Sequence, residues 1–157
     1  MALTRDLCGI KSGIVCDGNA KLFRRIGQEL PLDIFKYRSG EEYNGWVIPD
    51  NWTVQEAYIY FDGKLIYDGA SNALGVAQYS NSFEGEVDLE TLKKHIFSIP
   101  SIPDAHVFHC NWLYRPWERS WGFCPPHRIV DTLKPGTYKV SLKTNFQPGE
   151  MLVGHHH

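Results

Sequence analysis

The sequence predicts an α+β fold of mostly antiparallel short strands, with one hairpin and two helices. Three observations carry this. Two β-branched or aromatic stretches, residues 53–61 and 64–67, flank Asp62-Gly63, a dipeptide favoured in two-residue hairpin turns. Residues 137–144 alternate cleanly, with Tyr138, Val140 and Leu142 on one side. Two stretches, 19–30 and 88–97, place apolar residues at helical spacing. Strands and helices do not alternate regularly, and there is no G-x-G-x-x-G or phosphate loop, which argues against a doubly wound nucleotide fold.

Taken in chain order, Ser12-Gly13 and Asp17-Gly18 are breakers before the first expected helix, 19–30. Leu22, Phe23, Ile26 and Leu30 share its apolar face, and Lys21, Arg24, Arg25 and Gln28 its wet one. Asp17 or Asn19 is the expected cap and Pro31 the stop. A short strand is expected over 32–37 and a loop over 39–52, followed by the hairpin and a strand over 74–79. The second helix, 88–97, starts from Asp88 as cap and presents Leu89, Leu92, His95 and Ile96. Further strands are expected over 105–112, over 137–144 after the Pro135-Gly136 turn, and from 151 to 153.

A length of 157 residues suits one ordinary domain with its own core, and 43% apolar with 22% charged residues is a soluble globular composition. A formal charge of -2 supplies no basic face for nucleic acid. No apolar run has the length of a membrane helix, and no export signal opens the chain. The cytoplasm is therefore the expected compartment, with Cys8, Cys16, Cys110 and Cys124 reduced. The terminal Gly154-His155-His156-His157 reads as a purification-tag remnant, leaving His95, His106, His109 and His127 as natural histidines.

Chemistry-bearing residues gather in two places. All five tryptophans, Trp46, Trp52, Trp112, Trp117 and Trp121, fall in Gly- and Pro-rich stretches, as a packed aromatic lid or a ligand wall. His106, His109, Cys110, Cys124 and His127 are the candidate metal donors, all of types that zinc accepts. Their spacing matches no standard knuckle, and in a strand His106 and His109 would face opposite ways, so no metal is expected in this chain. Cys124 with His127 reads as a nucleophile and base or, with two prolines between them, as a buried thiol beside a separate imidazole. Glu41, Glu42, Glu84, Glu86, Asp88 and Glu90 contain no spaced pair resembling a general acid and base.

One ordered series runs through most of the chain. It comprises Ser12 and Asp17-Gly18, Leu30-Pro31-Leu32, Tyr37 with Ser39-Gly40-Glu41, and Trp46-Val47-Ile48-Pro49 with Trp52. It continues with Ala57-Tyr58-Ile59, Asp62-Gly63-Lys64, Tyr79-Ser80 and Leu89-Glu90 with Leu92-Lys93. Pro103-Asp104-Ala105, Trp121-Gly122-Phe123-Cys124 and Leu133-Lys134 with Gly136, Tyr138 and Val140 complete it. The series resembles bacterial aminopeptidase-like proteins of the zinc exopeptidase class that carry a domain of unknown function inserted near the N-terminus.

The resemblance implies that residues 1–37 belong to a peptidase body, 38–153 form the β-rich insert and 154–157 are the tag remnant. It also implies that the zinc ligands and the catalytic glutamate follow the insert. No residue here matches them, so zinc is expected in the full-length enzyme only and this chain alone is expected to be inactive. The expected partners are the remainder of the peptidase domain, a peptide or amide substrate and a second copy in a homodimer. The insert would wall the substrate cleft with Trp46, Trp52, Trp112, Arg115, Trp117, Arg119, Trp121 and Phe123. Residues 106–120 depart from the family, whose corresponding stretch is shorter and Tyr-rich. The alternative is a stand-alone binding or oligomerisation module that uses the same aromatic loops.

Overall fold

The computed structural model describes residues 2–110 and 120–157. In chain order the helices and strands are α1 (Ala2–Cys8), α2 (Gly18–Ile26), β1 (Asp33–Arg38), β2 (Glu42–Tyr43), β3 (Trp46–Val47), β4 (Asn51–Phe61), β5 (Lys64–Asp68), β6 (Phe83–Asp88), α3 (Leu89–Lys94), α4 (His127–Val130), β7 (Thr137–Gln147) and β8 (Glu150–His155). The expected α+β class with antiparallel pairing is what forms. The chain divides into two compact units: Met1–Trp52 with Phe146–His157, and Thr53–Asn145.

In the first unit, α2 ends at Ile26, a turn earlier than the apolar spacing suggests. The Gly27 N–H still reaches the Phe23 carbonyl at 2.8 Å, but residues 27–29 then turn, because Pro31 disfavours a helical Leu30. Neither expected cap acts as one. Asp17 makes no capping bond, and its carboxylate instead accepts from Asn51 Nδ2 at 3.1 Å. Asn19 lies inside the helix and is buried, holding the preceding loop through Gly13 N–H and the Gly13 and Ile14 carbonyls.

β1 and β8 form an antiparallel two-stranded ribbon in which Ile34 pairs Gly154 and Asp33 pairs His155. The stretch 39–52 is not all loop. Asn44-Gly45, both at positive φ, turn a small hairpin of β2 and β3, and β4 already begins at Asn51. The helix α1 was not expected from the sequence.

The second unit is built on a four-stranded sheet of order β5-β4-β7-β6. Alternation decides its inner face: Ala57 and Ile59 from β4, and Tyr138, Val140 and Leu142 from β7, are all buried. Leu92, Val76, Ala77, Phe123 and Cys124 are buried in the same unit. The Asp62-Gly63 turn forms as expected, with both residues at positive φ. Asp88 caps α3 by accepting from the Thr91 N–H at 2.7 Å.

Three local expectations give way to tertiary pairing, and one strand is added. α3 stops at Lys94, because the His95 carbonyl accepts from Phe123 N–H and the Phe97 N–H donates to the Phe123 carbonyl. Residues 74–79 make isolated bridges, Val76 with Phe123 and Gln78 with Cys110, and no named strand. Residues 105–110 are irregular up to that Cys110 bridge, and 111–112 lie outside the described residues. β6 takes up the alternating Phe83, Gly85 and Val87 as an extra strand paired with β7.

Candidate functional site

The described tryptophans fall in both units, Trp46 and Trp52 in the first and Trp121 in the second. Trp121 is 8% exposed and stacks on His95 (ring centroids 3.8 Å, planes 10° apart) and on Phe83 (4.3 Å, 12°). His95 Nδ1 lies 2.8 Å from the Trp121 carbonyl. A carbonyl only accepts, so Nδ1 carries the hydrogen of that bond. Phe123 is fully buried, edge-on to Tyr67 and to Trp121. Both residues are thus core of the second unit, without an open ring face to offer a ligand. Trp46 and Trp52 lie half-buried in β3 and β4, and Trp46 Nε1 is buried without a partner among the described residues. Trp112, Arg115, Trp117 and Arg119 lie outside the described residues.

The candidate metal donors are engaged one by one with protein groups. His106 Nδ1 meets the Cys124 carbonyl at 2.8 Å, with the Tyr67 hydroxyl at 3.3 Å. That hydroxyl also lies 3.1 Å from the Gly75 carbonyl, which makes a buried polar knot. The His109 ring stacks on Phe97 at 3.5 Å. His127 bonds Ser98 Oγ through Nδ1 at 2.9 Å, and its Nε2 lies 3.3 Å from Asp131 Oδ1. Among the described residues no three His, Cys, Asp or Glu side chains are placed to hold a metal ion. As placed, the five side chains do not converge as the four donors of a tetrahedral zinc site do.

Cys110 and Cys124 lack the lowered pKa that marks a nucleophilic thiol. Burial pushes Cys124 up to about 12, with the His109 N–H drawing it part of the way back, and burial pushes Cys110 up to about 11. A thiol held neutral in an apolar pocket is inert. Burial likewise raises the Tyr67 phenol well above its ordinary value.

In the first unit a groove of about 650 Å³ runs between α2 and the ribbon. Phe23, Leu32, Ile34 and Leu152 give it apolar walls, and Arg24, Asp17 and the Lys36–Glu150 ion pair (3.1 Å) line it with charge. Phe35 and Val153 are cross-strand neighbours in the ribbon, 50% and 41% exposed. No helix among the described residues is long and apolar enough to cross a membrane.

A Clostridium acetobutylicum protein, provisionally named as a polysaccharide biosynthesis protein with an aminopeptidase-like domain, is 26% identical over 156 residues, which is 99% of this chain and 35% of the relative. A crystal structure of a provisionally named peptidase from Clostridium acetobutylicum superposes with a TM-score of 0.77 at 25% identity, over 98% of this chain and 36% of that one. The chain thus spans about a third of the length of the relatives it matches. Residues 51–145, nearly the second compact unit Thr53–Asn145, match the family described as Domain of unknown function (DUF2172). The match covers more than half of the chain, which belongs to that family.

Proposed function

We propose that this chain is the N-terminal part of an aminopeptidase-like hydrolase of the zinc exopeptidase class, acting in the cytoplasm on a small peptide or amide. The second unit is an accessory domain beside the substrate cleft, and the first joins the peptidase body. The observation that carries this reading is the alignment of nearly the whole chain with about a third of relatives named for a peptidase or an aminopeptidase-like domain. The β1–β8 ribbon supports it: a two-stranded ribbon is marginal alone, and the exposed Phe35 and Val153 suit a surface that further peptidase structure covers. Zinc, in this reading, is held by residues beyond this chain, where it would activate water for attack on the carbonyl. The chain's own part is to shape the cleft and exclude solvent.

The test expresses the 157-residue chain and the longer polypeptide that this reading requires its gene to encode, and assays both with aminoacyl-p-nitroanilides before and after chelation. Chelator-sensitive hydrolysis by the longer protein alone is expected. Turnover by the 157-residue chain, or none by the longer one, sinks the reading.

A further inference from the structure

A depression of about 530 Å³ opens on the second unit, lined by Tyr60, Asp62, Gly63, Glu86, Thr137 and Lys139. Its floor follows from strand alternation. Ala57 and Ile59 point into the core, so Tyr58 and Tyr60 present their rings on the other face, 6.0 Å apart. The tight turn after β4 sets Asp62 at the rim, and the β6–β7 register sets Glu86 opposite Lys139.

The wall carrying Thr137 is anchored from below. The Tyr138 hydroxyl accepts from the Lys134 N–H at 2.8 Å and donates to the Lys134 carbonyl at 2.7 Å, while its ring packs on Phe61 at 4.8 Å. The cup is thus pre-formed, which lowers the ordering cost of binding.

The chemistry of the lining selects the ligand. Two carboxylates against one ammonium disfavour phosphates and other polyanions. Lys139 in the same cup disfavours a cation, which the ring and carboxylates alone would have suited. A single ring offers too little apolar surface for a hydrophobic side chain. What remains is a ligand with an apolar face and groups that both donate and accept, which describes a sugar ring with its hydroxyls. We propose that this depression binds a neutral saccharide, stacked by its C–H face on Tyr60, with hydroxyls bonded to Asp62, Glu86 and Lys139. The proposal does not rest on the peptidase reading.

The test titrates the isotope-labelled 157-residue chain with free glucose, galactose and N-acetylglucosamine and follows the backbone amide spectrum. At least one sugar should shift the amides around Tyr60, Asp62, Glu86 and Lys139, with a Kd on the order of 1 mM, a usual strength for one small ring in an open cup. Tyr60→Phe should keep the effect, and Tyr60→Ala should weaken it about tenfold or more. The exposed Lys139→Ala provides a second variant should Tyr60→Ala fail to fold. Three outcomes overturn the proposal: no sugar shifts these amides, both alanine variants bind as well as the parent, or leucinamide shifts the same amides as strongly.

Discussion

The imidazole of His95 lies flat on the indole of Trp121, 3.8 Å between centroids, while its Nδ1 bonds the carbonyl of that same tryptophan at 2.8 Å. One side chain thereby fixes both the ring and the backbone of the 121–124 segment, which also pairs through Phe123 with Phe97 and through Cys124 N–H with Gly75. His95→Phe keeps a ring in place but orphans the carbonyl, and should cost about 1 kcal/mol; His95→Ala loses both and should cost about 2 kcal/mol in urea denaturation. Equal losses for the two variants would mean that the stack contributes nothing.

Asp88 ends β6 and caps α3, and its bond from the Thr91 N–H holds the carboxyl below its ordinary value. A depressed acid stabilises the fold above its ordinary range, and that contribution is lost as pH falls through the folded value. Asp88→Ala should therefore melt below the parent at neutral pH, and the gap should narrow in acid. A gap that is constant across the acid range would show that the cap bond does not titrate with Asp88.

The buried thiols give an alkaline counterpart. Cys110 and Cys124 stay neutral in the fold to about 11 and about 12, against an ordinary 9.0, so the unfolded chain ionises first. Their contribution is complete below pH 9.0 and fades as pH rises toward those values. Denaturation at about pH 8 and about pH 10.5 should show a loss that is smaller in Cys124→Ala. In the native protein, Ellman's reagent should modify the exposed Cys8 and spare Cys124; rapid modification of Cys124 would refute its burial.

Gly75 passes directly over the backbone of Gly69, so a Cβ at Gly75 would collide with the Gly69 carbonyl. Backbone cannot step aside as a side-chain tip can. Gly75→Ala should cost about 3 kcal/mol or more, read as a fall in Tm or as insoluble expression. A variant as stable as the parent would mean that the crossing is looser than described.

Phe35 and Val153 bear on the proposed junction with a peptidase body. The isolated chain should self-associate through this exposed pair, and Phe35→Ser with Val153→Ser should reduce the weight-average mass in sedimentation at high concentration. Association unchanged by the double substitution would place the sticky surface elsewhere.

Local chemistry alone determined several features of this chain. The Asp62-Gly63 hairpin, the Asp88 cap and the alternation of Tyr138, Val140 and Leu142 each depend on neighbours within a few residues, and each formed as the sequence indicates. Asn44-Gly45 carries the same turn signal, and Phe83, Gly85 and Val87 in β6 the same alternation. Other features were settled only by distant partners. Phe123 is drawn to the Val76 and Ile96 bridges, which ends α3 early and leaves 74–79 without a regular strand. His106, His109, Cys110, Cys124 and His127 are the candidate donors by residue type, though their spacing fits no standard knuckle; folding buries Cys124, leaves Cys110 half-buried and gives each histidine a different partner. Residue type and spacing fix turns, caps and faces, whereas burial and long-range pairing decide whether a Trp, His or Cys is a ligand wall or core. That decision depends on desolvation and on partners far away along the chain, to which spacing is blind.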